Sequence, residues 1–262
     1  MAMMERTQAR TDQDRSHERF WPLARRFGMV RLVAALCVFA AASTALHAAN
    51  NSVQGAPKKE EGGYQTEVPH AILIDAESGS VLFEKNADQV APPSSMQKLM
   101  TVEVVFDLIQ QGKLKLTDEF RVSENAWRTG GAPSGGSTMF AAIHSMVPLD
   151  DLLHGAIIQS GNDACIIMAE AIAGNERNFA QMMTKRARAL GLNQANFGNS
   201  TGLPDPANLM SVRELALLAR HIIFTYPAHY KLFGEAEYTW NKIRQFNRNP
   251  ILKSVNGADG LK

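Results

Sequence analysis

Strand signals stand at both ends of this chain's globular-looking region, and almost everything between them repeats with helical period. Ala71-Ile72-Leu73-Ile74 is an apolar run, Glu77-Ser78-Gly79-Ser80 is a turn, and Val81-Leu82-Phe83 is a second short run, which together predict a hairpin. Glu237-Tyr238-Thr239-Trp240 is strand-like again. Between them, Pro92-Pro93-Ser94 closes a loop and opens a helix carrying Leu99, Met100, Val102, Val105, Phe106 and Leu108. Residues 149–159, 163–172 and 177–190 follow at helical spacing, and Ser211-Val212-Arg213-Glu214 is a capping box ahead of Leu215, Leu218 and Ile222. The stretch 130–137, with Pro133, reads as a loop. This order predicts an α+β fold with a helical insert.

Composition narrows the classes. Lys and Arg number 27 against 26 for Asp and Glu, a formal charge of +1, without the basic excess of a dedicated nucleic-acid binder. Hydrophobic residues make up 45% of the 262, which argues against wholesale disorder. Two cysteines cannot build a disulfide scaffold or a Cys-rich zinc site.

The sharpest shift in composition lies near the start. Leu32 begins the apolar run LVAALCVFAAA, preceded by Arg31 and followed by small residues through Ala45, Ala48 and Ala49. This is the layout of a secretory signal, too short in its strictly apolar part for a span of roughly 20 residues. Residues 1–49 are therefore read as leader and signal, 50–65 as a polar linker, and 66–262 as the folded domain. Glu5, Asp12, Asp14 and Glu18 suit a signal poorly, so Met29 is an alternative start. Cleavage would remove Cys37 and leave Cys165, in an apolar stretch, as a buried thiol.

Three motifs carry chemistry. In Ser95-Met96-Gln97-Lys98 the two end residues share a helix face, so Lys98 can take the proton of the Ser95 hydroxyl once its own pKa is depressed. The helix N-terminus adds N–H donors for a developing oxyanion. Ser160-Gly161-Asn162 lies between two apolar helices, where a linker with an Asn N-cap is the alternative reading. Asp259-Gly260-Leu261-Lys262 brings a lysine after an Asp-Gly turn. Each is weak alone; a capping serine with a surface lysine would explain the first equally well.

Taken in order, the three resemble the motif set of the penicillin-binding protein and serine β-lactamase superfamily, Ser-x-x-Lys, Ser-x-Asn and Lys-Thr-Gly, with Lys262 standing where the third begins. The flanks Pro93-Ser94-Ser95-Met96-Gln97-Lys98, Gln159-Ser160-Gly161-Asn162-Asp163-Ala164-Cys165 and Asn247-Arg248-Asn249 resemble the D-alanyl-D-alanine carboxypeptidases among the low-molecular-mass penicillin-binding proteins. The resemblance runs from about His70 to Lys262. It implies a β-lactamase/transpeptidase-like fold, an antiparallel sheet flanked by helices with a helical subdomain, the sheet incomplete at the C-terminus. It implies Ser95 as acyl-ester nucleophile, Lys98 as proton acceptor, Ser160 as proton relay, and Asn162 and Lys262 as substrate contacts. Arg248 is a second candidate carboxylate contact, with a structural salt bridge as the alternative. The implied substrate is a peptidoglycan stem peptide ending in D-Ala-D-Ala, and β-lactams are the implied inhibitors. Export to the periplasm or the outer face of the cytoplasmic membrane, with peripheral attachment through a C-terminal region, follows by the same resemblance. Neither cofactor nor nucleic acid is implied. The 262-residue chain by itself is expected neither to acylate nor to fold robustly, because the resemblance places further sheet strands after Lys262.

Competing readings remain at this level. A D,D-endopeptidase differs in substrate rather than motif. A class A β-lactamase is disfavoured by Gly161 in place of an aspartate and by the lack of a Glu-x-x-Leu-Asn. An inactive fragment that binds wall peptides is the third. Gly198-Asn199-Ser200-Thr201-Gly202 matches a nucleophile elbow, but polar Asn193, Gln194 and Asn196 precede it and Pro204 and Pro206 block a following helix, so it reads as a loop near the cleft. His70, His144, His154, His221 and His229 show no metal-ligand spacing.

Overall fold

The computed structural model describes residues 64–262. The leader, the signal with Met29 and Cys37, and most of the linker lie outside them. The predicted hairpin is present: β1 (Ala71–Ile74) pairs antiparallel with β2 (Val81–Lys85), Ala71 opposite Lys85. Its turn closes on Asp75 Oδ1, which accepts from the Ser78 amide at 2.7 Å and its hydroxyl at 2.5 Å.

β3 (Val90–Ala91) leads through the Pro-Pro pair into a 3-10 turn at Ser94–Gln97 and then α1 (Lys98–Gln110). β4 (Glu119–Arg121), α2 (Glu124–Gly130), a second 3-10 turn at Ala132–Ser134 and β5 (Met146–Pro148) follow. Next come α3 (Leu149–Ile157), α4 (Asn162–Ala173) and α5 (Glu176–Ala189), then β6 (Met210–Ser211) and α6 (Val212–Thr225). The chain continues through α7 (Pro227–Tyr230), a third 3-10 turn, the hairpin β7 (Glu237–Trp240) and β8 (Ile243–Phe246), and α8 (Ile251–Ser254).

The described strands pair as four antiparallel ribbons, β1–β2, β3–β6, β4–β5 and β7–β8. The β3–β6 ribbon sets Val90 opposite Ser211 and so holds the entries of α1 and α6 side by side. α4 is the central helix, packed on α2, α3 and α5, and its residues Asn162 to Ala169 are all buried. α1 is buried from Lys98 to Phe106. Helices apolar on every side have no solvent face to offer and go to the interior. Gly130 ends α2 against the start of α4, where a Cβ would sit 2.4 Å from the Asp163 amide nitrogen. Among the described residues no helix is long and apolar enough to cross a membrane.

Local detail departs from the sequence reading in three places. The stretch 130–137 is not all loop. α2 ends within it and a 3-10 turn follows, because Ser123 caps α2 by accepting from the Ala126 amide at 2.9 Å. That short helix has too few apolar residues to show a period. The capping box at α6 is half made: Ser211 Oγ accepts from the Glu214 amide at 3.2 Å, while the Glu214 carboxylate turns to the Gln194 amide at 2.7 Å. The N-cap position of α4 is Gly161, not Asn162, whose side chain is used elsewhere.

Candidate active site

Ser95 lies in the 3-10 turn that runs directly into α1, and Lys98 is the first residue of that helix. Ser94, just before, takes φ of +51°. That left-handed conformation costs a non-glycine residue about 1–2 kcal/mol and turns the chain sharply after Pro93. The Lys98 Nζ to Ser95 Oγ distance is 3.3 Å.

Lys98 is buried, 1% exposed, and its amine meets two further oxygens. Asn162 Oδ1 accepts from it at 2.8 Å and the Thr201 carbonyl at 2.6 Å. A neutral amine has two N–H bonds and one lone pair. The carbonyl and the carboxamide oxygen can only accept, so they take the two hydrogens and leave the lone pair for the Ser95 O–H. Burial holds Lys98 below its ordinary pKa; Arg248 pushes the same way, against Cys165 and Asp163. Burial thus acts toward the neutral amine, the form that can take a proton.

Ser160 sits in the turn between α3 and α4 with φ of +62°, and its buried hydroxyl has no hydrogen-bond partner among the described residues. Such a group costs about 1–3 kcal/mol until something meets it. Ser160 lines a cavity of about 180 Å³ together with Ser95, Arg248 and Lys262, with Met96 and Ile157 as its apolar wall. Lys98 and Asn162 do not line this cavity.

Lys262 Nζ donates to the carbonyls of Ala156 and Ile157 at 2.9 and 3.1 Å, where the last turn of α3 leaves acceptors unpaired. Burial, with the Arg248 cation nearby and repulsion from Lys98 whenever that amine is charged, pushes the Lys262 pKa down to about 7. Arg248 is held at both ends: its amide donates to the Ile158 carbonyl at 3.1 Å, and its guanidinium donates to the Ser137 hydroxyl. The salt-bridge alternative finds no carboxylate partner among the described residues. Asn162 donates its amide to the Ser137 carbonyl at 2.8 Å. Its carboxamide oxygen is turned to Lys98. The structure thus gathers all six residues singled out from the sequence.

Asp163, next to Asn162, ties the 138–141 segment to the start of α4. Its carboxylate accepts from Thr138 Oγ1 at 2.6 Å and from the amides of Met139, Ala141 and Ala164 at 2.9, 3.2 and 3.0 Å. Burial still pushes its pKa up. Cys165 is a buried free thiol raised to about 11 by burial, hence protonated at neutral pH and no nucleophile.

The loop Gly198–Gly202 is what sequence reasoning undervalued. Ser200 is no nucleophile: it is fully buried, and its hydroxyl donates to Glu176 Oε1 at 2.6 Å. Yet three consecutive carbonyls of this loop accept from α1 and its entry: Asn199 from Gln97 at 2.5 Å, Ser200 from Thr101 at 2.6 Å, and Thr201 from Lys98. Gly202 takes φ of +80°, and a Cβ there would fall 1.9 Å from the Ser94 carbonyl oxygen. Only glycine lets the loop close on the Ser94–Ser95 turn. Backbone carbonyls carry no residue-type signature, so spacing could not reveal this contact; the paired glycines were the available signal. Among the described residues no group of three or more His, Cys, Asp or Glu is placed to hold a metal ion.

The profile of the Peptidase_S11 family, D-alanyl-D-alanine carboxypeptidase, matches residues 55–262. The chain is 44% identical over 193 residues to the D-alanyl-D-alanine carboxypeptidase DacC of Escherichia coli, covering 73% of this chain and 48% of that protein. Its structure is similar to penicillin-binding protein 5 from Haemophilus influenzae, with a TM-score of 0.70 and 39% identity over 73% of this chain and 55% of that one. It is also similar to penicillin-binding protein D2 of Listeria monocytogenes in its cefotaxime-bound form, with a TM-score of 0.67 and 25% identity over 76% and 80% of the two chains. The chain spans about half the length of the curated relatives it matches. The α+β fold is the one these penicillin-binding proteins share.

Proposed function

Since the chain belongs to the D-alanyl-D-alanine carboxypeptidase family, we propose that the whole protein is an exported serine D,D-carboxypeptidase that removes the terminal D-alanine from peptidoglycan stem peptides. The observation that carries this reading is the hydrogen-bond set of Lys98. Its amine is 3.3 Å from Ser95 Oγ and spends its two N–H bonds on Asn162 Oδ1 and Thr201 O.

Lys98 takes the Ser95 proton as Oγ attacks the carbonyl carbon of the last peptide bond. The carbonyl π electrons move to oxygen, whose developing charge calls for backbone N–H donors beside Ser95. Ser160, whose hydroxyl is otherwise unpartnered, relays the proton taken up by Lys98 to the departing amine, giving up its own proton and regaining that one, with Lys262 beside it lining the cavity. Free D-alanine leaves, and water then hydrolyses the Ser95 ester. Lys262 and Arg248 hold the substrate's terminal carboxylate, and the Asn162 NH₂ meets its amide backbone. A β-lactam would acylate Ser95 by the same first step, with its ring nitrogen as leaving group.

Incubating the full-length protein with a fluorescent penicillin, and mapping the adduct by mass spectrometry, tests this. The adduct is expected on Ser95 and absent from Ser95→Ala; an adduct on Ser200, or none, would overturn the assignment. Release of D-alanine from a stem pentapeptide checks the substrate. Export and peripheral attachment at the outer face of the cytoplasmic membrane extend the reading to the cell, and fractionation of cells making the native precursor tests both.

A further inference from the structure

We infer that Asn199 and Gln97 are positioning residues for the proposed acylation, holding the Thr201 carbonyl on the Lys98 amine so that its lone pair stays on Ser95. This rests on the reading of Lys98 as the base.

Asn199 is the hub of the loop. Its Oδ1 accepts from the Thr201 amide at 3.1 Å, the Thr201 hydroxyl at 3.1 Å and the Gly202 amide at 2.9 Å. Its Nδ2 donates to the Leu203 carbonyl at 3.0 Å. One side chain thus fixes the peptide planes on both sides of Thr201, the residue whose carbonyl meets Lys98. Gln97 lies next to Lys98 in sequence and donates to the Asn199 carbonyl at 2.5 Å. The turn that presents the nucleophile therefore also pins the hub. Gln97 is fully buried and its Oε1 has no partner, so the residue tolerates an unmet acceptor to keep its amide on Asn199, donating to the carbonyl and, at 3.4 Å, to Oδ1. Ser200, anchored to Glu176, closes the loop from α5.

The consequence is orientational. With the Thr201 carbonyl displaced, the neutral amine turns freely about its Cε–Nζ bond, and its lone pair leaves Ser95 for part of the time. The charged and titratable groups facing Lys98 are Asp163 and Cys165 from α4 and Arg248 from the segment after β8, with Lys262 beyond. None belongs to the 199–202 loop, so their influence remains when Asn199 is truncated.

The experiment measures penicillin acylation of the full-length protein across pH, separating the acylation rate constant from the affinity of the non-covalent complex. Asn199→Ala is expected to lower the rate constant about 10- to 100-fold at the alkaline plateau, with affinity and final labelling stoichiometry unchanged. Asn199→Asp keeps the acceptor oxygen and is expected to recover the plateau to within about 3-fold. Its acid limb should move to higher pH, because a new carboxylate favours the Lys98 ammonium. Gln97→Met, which keeps the volume and removes the donor, is expected to slow acylation about 3- to 10-fold and supplies the readout if Asn199→Ala does not fold. Unchanged rate constants in Asn199→Ala or Gln97→Met, or equal plateau losses in Asn199→Ala and Asn199→Asp, would overturn the positioning role while leaving Ser95 as nucleophile. No Ser95 adduct in the unsubstituted protein would sink the functional reading and this inference together.

Discussion

The carboxamide oxygen of Asn162 lies 2.8 Å from the amine of Lys98, although the two residues are 64 positions apart. This contact binds the second motif to the first beneath the cavity. Replacing Asn162 by aspartate keeps the acceptor and adds a charge that favours the ammonium. A carboxylate this close raises a neighbouring amine's pKa by about one unit or more. Because Lys98 acts only when deprotonated, Asn162→Asp is expected to move the acid limb of acylation to higher pH by about one unit or more and to recover the rate at alkaline pH. A pH profile of penicillin acylation checks this.

Lys262 titrates near pH 7, pushed down to about 7 by burial beside Lys98 and Arg248. A cation that recruits a carboxylate is present below that pH and fades above it. The dissociation constant of a carboxylate-bearing ligand is therefore expected to rise as pH passes about 7. In Lys262→Arg, whose guanidinium stays charged, the rise should vanish. Titration calorimetry on a Ser95→Ala background, where no acylation intervenes, measures both.

Gly202 joins a positive φ to a contact no side chain can share, 1.9 Å from the Ser94 carbonyl oxygen. Gly202→Ala is expected to cost about 2–4 kcal/mol and to push the Ser94–Ser95 turn off Lys98. Thermal denaturation should show a drop of about 5–15 °C, and acylation should fall at least about 10-fold.

Away from the cavity, Glu103 is a fully buried carboxylate. It accepts from Arg186 at 2.8 and 3.0 Å, His221 at 3.2 Å and Tyr226 at 3.2 Å, tying α1 to α5 and α6. Burial opposes its charge, but the bonds from His221 and Arg186 outweigh burial and hold its pKa below the ordinary value. Its stabilising contribution is then present above the unfolded carboxyl's pKa and lost as pH falls through the lower folded value. Arg186→Met removes the guanidinium, leaving His221 and Tyr226 as the remaining partners of the buried carboxylate, and is expected to cost about 3 kcal/mol. Urea denaturation at neutral pH measures this, and the difference from wild type should shrink in acid as Glu103 protonates in both.

Short-range features were legible in the residues themselves. The hairpin at 71–85, the helices α1, α3, α4 and α5 and the three-residue spacing of Ser95 and Lys98 all follow from alternation, period and turn chemistry among near neighbours. The order of Ser95, Ser160 and Lys262 carried the resemblance that placed them in one site. Packing determined the rest. Asn162 reads as a helix cap, yet a buried amine needs acceptors more than the first turn of α4 does, and Lys98 claims its oxygen. The decoy at Ser200 matches a nucleophile pattern, but burial against Glu176 makes it an anchor, and its neighbour's carbonyl completes the set around Lys98. Arg248 reads equally as a substrate contact or a salt bridge until the Ser137 hydroxyl is found opposite it. Each contact spans from 24 to 111 residues and uses atoms whose identity says nothing about their partner. Side-chain type states what a group can bond. Which group stands within about 3 Å of it is decided by the close packing of α1, α4 and the 199–202 loop around one buried lysine.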